Sequence, residues 1–359
     1  MKKFKKILLR TLLVLFTFIA LTFIGAYSTL WLICHGPSQT ARDLFVSTIM
    51  ETGQMKFLAS WYFSEEEILE ITGRNGMVHN KEDVNPDLIV TPTPDQDPDT
   101  ETDFDINGIE IVEISGRSFF GKLMIINDPS RVKLTTIYPW SEDPEGKKGQ
   151  TLKELVENGN YLGGVNGGEY FSSGNWGGKP KGLVVCDGQI QYNVPQRGDV
   201  MIGFNEDNIL MIMEIGSLSA KQVEELVADN HIRDAVSFKD IDDGDDNHFT
   251  KLIINGEATQ ISGNGSGANP RTAIGQKADG TVLLLVTDGR GAAGHLGATA
   301  RDLISIMQEY GAVNAANLDG GSSSAMYYDG AYEMSSVTLY YATSSWRLPT
   351  AFVVEKRED

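Results

Sequence analysis

From residue 12 to residue 33 the chain carries no charge and is apolar on every helical face. About 20 such residues cross the hydrocarbon core of a bilayer as a helix. A helix that is apolar all round is not the half-exposed helix of a soluble domain. A cleaved signal peptide has a shorter apolar region, about 7–15 residues, ending in small residues. Here Ala26, Tyr27 and Ser28 make a poor cleavage site, and the apolar run continues to Ile33. The pattern predicts an uncleaved signal anchor. Tyr27 and Trp31 lie near its far end, where aromatic rings favour the interface. Lys2, Lys3, Lys5, Lys6 and Arg10 precede it with no acid among them, which keeps this end in the cytoplasm and exports the rest.

Beyond the anchor, residues 38–75 mix Leu44, Ile49, Phe57, Leu58, Trp61 and Tyr62 with charges, and Ser64 followed by three glutamates reads as a helix start. This stretch, 35–78, is expected to be a helical juxtamembrane stalk. Residues 79–103 lose hydrophobicity and become Pro-rich and acidic, the composition of an extended disordered linker. A globular pattern fills 104–359. Short apolar or alternating runs predict strands at 109–114, 123–126, 133–138, 183–185, 209–215, 251–254, 282–287 and 351–354. Asn255-Gly256 between apolar runs predicts a hairpin turn. Helical patterns cover only 152–157, 220–228 and 299–310. Many strands, few helices and 38 glycines predict an α+β domain with mixed, largely antiparallel sheets.

Charge narrows the partners. The chain holds 30 Lys and Arg against 49 Asp and Glu, and without the five basic residues near its start the remainder carries about −24. That balance argues against nucleic acid, which requires a basic footprint, and against lying flat on anionic lipid. Cys34 and Cys186 are too far apart in the chain to suggest a disulfide framework.

Four polar, glycine-rich stretches interrupt the strands. Asn166-Gly167-Gly168-Glu169 ends one predicted strand, and Arg271 enters another from an Asn/Gly loop. Gly289 to Gly294 fits the G-x-G-x-x-G pattern after a strand. The next helix begins only near Thr299, however, and no βαβ series surrounds it, so a loop bending over a pocket is the better reading. Asn317-Leu318-Asp319-Gly320-Gly321-Ser322-Ser323 places a carboxylate beside a turn whose N–H groups can form an anion nest. Asp240 and the acids up to Asp246 could gather Ca²⁺, but the EF-hand spacing is lacking and a solvated loop is favoured. No zinc spacing and no G-x-S-x-G elbow occur, and no cofactor is expected.

In this order, Asn166-Gly167-Gly168, Arg271 to Gly275, Thr287 to Arg290, Gly297-Ala298-Thr299 and Asn317 to Ser323 resemble the phosphodiester glycosidase family over roughly residues 104–356. Glu169 departs from that pattern by preceding the aromatic pair Tyr170-Phe171. The resemblance implies cleavage of a sugar C1–O bond with a phosphate ester leaving, on a glycan phosphodiester of the envelope or an exopolysaccharide. Asp319 is then the first choice for nucleophile or base, with Glu169 or Asp288 as its carboxylate partner. Arg271 and Arg290 suit charge stabilisation on the phosphate. Asn166, Gly167, Gly168, His295, Asn317, Gly320, Gly321, Ser322 and Ser323 complete the expected binding surface. The rival reading is a non-catalytic glycan-binding module displayed on the membrane.

Overall fold

A computed structural model describes residues 2–52, 55–91, 104–240, 249–336 and 344–357. The apolar run lies within one helix, Lys2–His35, which is long and apolar enough to cross a membrane and has no buried surface over its most apolar window. Three short helices follow: Gln39–Met50, Phe57–Ser60 and Glu65–Arg74. The last begins with a capping box, Ser64 and Glu67 satisfying each other's backbone N–H. Their apolar faces meet in a small core of Val46, Ala59, Ile68 and Ile71.

These helices do more than space the domain from the membrane. Met77 bridges to Ile261, Val78 N donates to Gln260 O (2.8 Å) and Ser262 N donates to Gly76 O (2.8 Å). The expected linker also differs. Residues 79–91 lie on the domain, with Val84 and Ile89 in its main core and the buried Lys251 Nζ donating to Glu82 O (2.8 Å). Two apolar side chains in a polar stretch are enough to dock it, because each removes about 1.5–3 kcal/mol worth of apolar surface from water. The Pro-rich remainder, 92–103, lies outside the described residues.

The domain is α+β, and all pairings among its named strands are antiparallel. A seven-stranded sheet runs Ile109–Ser115, Phe120–Ile126, Val282–Thr287, Arg271–Lys277, Ala312–Asn317, Lys251–Ile254 and Glu257–Ala258. A five-stranded sheet orders Ala331–Met334, Met326–Tyr328, Gly163–Asn166, Thr350–Val354 and Val132–Thr136. A second orders Gln189–Val194, Gly182–Cys186, Ile232–Lys239, Asp199–Asn205 and Leu210–Glu214. One core, from Met124 and Leu284 through Val165 and Phe352 to Ile202 and Val236, joins all three. Helix Ala300–Glu309 covers the other face of the large sheet with Leu303 and Met307, and Leu152–Asn158 covers the first small sheet. The Asn255-Gly256 turn is a hairpin with both residues at positive φ, +56° and +83°. Both cysteines are free.

Register brings the site together. Arg271 faces Thr287 and Ala273 faces Asn317, so the start of one strand and the ends of its two neighbours share one edge of the large sheet. Arg271, Asp288 and Asp319 all leave the sheet there.

Candidate functional site

Asn166 closes the gap between sheets. Its Nδ2 donates to Asp319 O (2.6 Å), while its Oδ1 accepts from Thr272 Oγ1 (2.7 Å) and Ala325 N (3.2 Å). One buried amide thereby fixes the strand end, the large sheet and both sides of the Asp-Gly-Gly turn. Asn317 is also turned inward, its Nδ2 donating to Phe249 O (3.1 Å). Both asparagines act as framework, not as the sugar-binding amides expected from sequence. Gly167 and Gly168 are framework too. A Cβ on Gly167 would stand 2.3 Å from Thr350 Oγ1, and one on Gly168 2.6 Å from Ser237 O, so glycine lets the sheets approach.

Asp319 is half-buried at the centre of this edge. Burial raises its carboxyl to about 7, opposed by a hydrogen bond from Ser323 and by the Gly320 N–H (3.0 Å), and reinforced by the charge of Glu169. Ser323 Oγ also meets the buried Tyr170 hydroxyl at 3.0 Å. Tyr170 is held well above the ordinary phenol range, by burial first and by Asp319 second. Tyr170, which in the sequence is only part of an aromatic pair, thus reaches the central carboxylate through Ser323. Glu169 lies beside it, its Oε1 accepting from Lys181 Nζ at 2.6 Å. Glu169 also acts on Asp199, whose carboxyl burial raises to about 6. Asp199 sits at a strand start with no motif to mark it and was missed for that reason.

Asp288 belongs elsewhere. Its Oδ1 accepts from Phe120 N (2.8 Å) and its Oδ2 meets His295 Nδ1 at 2.7 Å. The carboxylate whose charge acts on Asp319 is Glu169, and Asp288 holds His295, just beyond the Gly289–Gly294 loop. That loop is a 3₁₀ turn, Ala292–Gly294, separated from the helix at Ala300 by a capping box of Thr299 and Asp302. The helix N-terminus is closed by its own cap, unlike a dinucleotide fingerprint.

The two arginines differ most from expectation. Arg271 is buried, and its guanidinium is ion-paired with Glu51, donates to Gly267 O (2.8 Å) and Ala298 O (3.3 Å), and lies 4.9 Å from the Phe249 ring centroid. Glu51 follows helix Gln39–Met50. Its carboxylate also accepts from Gly267 N (2.6 Å) and Asn269 Nδ2 (3.1 Å). Arg290, at φ +54°, lies on the exposed loop and donates to Ser322 Oγ (2.7 Å). Among the described residues no carboxylate lies within ion-pair distance of it. Its guanidinium is held below its ordinary range, by desolvation first and by Arg271's charge second, while Asp319 acts the other way. The anion nest expected of the Asp-Gly-Gly turn is largely closed. Gly320 N serves Asp319, Gly321 N donates to Pro270 O (2.8 Å) and Ser323 N to Gly320 O (3.2 Å). Gly321, at φ +63°, turns the chain beneath Arg290.

No cluster of three or more metal-ligating side chains occurs among the described residues. The acidic run lies at 241–248, outside them, apart from Asp240.

A 64-residue stretch is 44% identical to the SPbeta prophage-derived uncharacterized protein YomE of Bacillus subtilis (strain 168), covering 18% of this chain. The chain spans about a tenth of that relative's length, 10%. Among solved structures, the catalytic domain of zebrafish N-acetylglucosamine-1-phosphodiester alpha-N-acetylglucosaminidase, auto-inhibited by its pro-peptide, is similar at 21% identity and TM-score 0.48, over 69% of this chain and 82% of that one. A hypothetical protein from Synechocystis is similar at 17% identity and TM-score 0.42, over 69% and 61%. The model of the phosphodiester glycosidase family matches residues 159–355, more than half of the chain and all four glycine-rich stretches, and the chain belongs to that family.

Proposed function

We propose that this protein is a membrane-anchored hydrolase that cleaves a sugar-1-phosphodiester in envelope or exopolysaccharide glycans, with its domain outside the cytoplasm. One observation carries the reading: Asp319, a carboxyl raised to about 7, feels the charge of a second carboxylate, Glu169, and itself acts on Arg290, an arginine without an acidic partner among the described residues. Above that pH Asp319 takes a proton from water as the water attacks C1. The C1–O bond breaks and its electron pair leaves on the phosphate oxygen, giving a free sugar and a phosphomonoester. That leaving group is weakly basic and requires no general acid. Arg290 neutralises its charge, with Ser322 fixing the guanidinium.

The test uses the full chain in detergent with a methyl glycosyl-1-phosphodiester. Release of reducing sugar that Asp319→Asn and Arg290→Ala abolish is expected. Saturable binding with no release by the unaltered protein would identify a glycan-binding module instead.

A further inference from the structure

The helix Lys2–His35 does not stand free along its length. The Tyr62 hydroxyl donates to Tyr27 O (3.2 Å) and the two rings lie 5.2 Å apart. His35 stacks on Phe63 at 5.6 Å, and Cys34 is buried. The next residues are Ser64 and the glutamates 65–67 of a capped helix, with side chains exposed to solvent. Three carboxylates cannot enter hydrocarbon beside the helix they flank. The last two turns, from Tyr27 onward, therefore stand outside the hydrocarbon core. Counting back at about 1.5 Å per residue, a core of about 30 Å ending at Tyr27 reaches Ile7 and takes in the backbone of Arg10, whose long side chain snorkels to the near interface.

Trp61 directly precedes Tyr62, which meets Tyr27 at that boundary, and it belongs to an exposed apolar patch on the helices after the membrane segment. Met55 is 43% exposed, Phe57 48% and Trp61 57%, and the Phe57 and Trp61 rings meet edge to face at 5.3 Å. Large exposed apolar side chains grouped this way need a partner. We propose that this face lies in the headgroup layer of the bilayer that the helix crosses, forming a second membrane contact. Trp and Phe suit that layer because their rings are apolar and polarisable. The glutamates set its depth, since they must remain in water. The partner is a lipid surface and not a second copy of the chain, because the patch is continuous with the lipid-facing helix through the Tyr27–Tyr62 contact. The domain follows, because Glu51 ties the same helical group to the Arg271 loop.

The full chain in phosphatidylcholine vesicles tests this. The chain has five tryptophans, so the fluorescence lost in Trp61→Phe isolates Trp61. Lipid brominated near the headgroup should quench that difference signal by more than half, and aqueous iodide should leave it nearly unchanged. Quenching by iodide and not by brominated lipid would overturn the proposal. Trp31→Phe reports whether the helix is inserted. If its difference signal ignores brominated lipid, the helix does not cross and the proposal falls with it.

Discussion

Arg271 and Arg290 leave the same sheet edge, from facing ends of neighbouring strands, and their surroundings have opposite character. Arg271 is saturated: a buried carboxylate, carbonyl oxygens and an aromatic face use its guanidinium. Arg290 has one hydroxyl partner, Ser322. Both could be assigned to phosphate from sequence. Geometry assigns Arg271 to holding residue Glu51 and the 263–270 loop on the domain, whereas the proposed function gives Arg290 the leaving phosphate. A cation that already has a buried counter-ion acts as a cross-link.

The sharpest way to break this contrast is to remove each arginine. Arg271→Ala leaves Glu51 buried and unpaired, which should cost about 3–5 kcal/mol of stability in urea unfolding. The double change Glu51→Leu, Arg271→Met should recover most of it, since buried ion pairs are often replaceable by apolar side chains. A double variant no more stable than the single one would mean that the pair is not the cross-link. Arg290→Ala should leave the unfolding free energy within about 0.5 kcal/mol while lowering kcat about 10²–10³-fold. A fall in stability with unchanged kcat would reverse the assignment.

Smaller effects follow from Asp319. Its folded carboxyl is raised to about 7 by burial, above its unfolded range near 4. Such a group contributes stability fully at pH below about 4, and that contribution is lost as pH rises through about 7. Asp199, raised to about 6, acts in the same direction and window. Asp319→Asn should flatten the decline of Tm between pH 5 and 8, and kcat of the unaltered protein should rise through about 7. An unchanged Tm slope in the variant would show that Asp319 ionises normally. Smallest of all, His295→Gln keeps a hydrogen bond to Asp288 and should lower turnover by less than about tenfold, the low end for a group outside the proton transfer.

Local chemistry was legible in the sequence. The strand 251–254 and the strand 282–287 coincide with their apolar runs, and the helical patterns at 152–157, 220–228 and 299–310 fall on helices Leu152–Asn158, Ala220–Asp229 and Ala300–Glu309. Strands Asp199–Asn205 and Ile232–Lys239 were missed. They are central and buried on both faces, so no alternation marks them, and Asp, Gly and Arg interrupt their apolar runs. At the site, the motifs singled out in the sequence converge on one edge of the large sheet. Their division of labour did not follow, because it depends on distant partners. Glu51 meets Arg271 across 220 residues, and Glu169 acts on Asp319 across two sheets. A pattern read along the chain has no access to such pairs.

The position of Glu51 also redraws where a soluble form of the protein can begin. Cutting before the family-matched region, or at the Pro-rich stretch, deletes the carboxylate and leaves the Gly267 N–H, the Asn269 amide and the Arg271 guanidinium without their shared acceptor. A fragment starting at Ser38 keeps the helix cap and everything after it. By that measure a soluble form that keeps the Arg271 acceptor starts a few residues past helix Lys2–His35, well before the first strand of the domain.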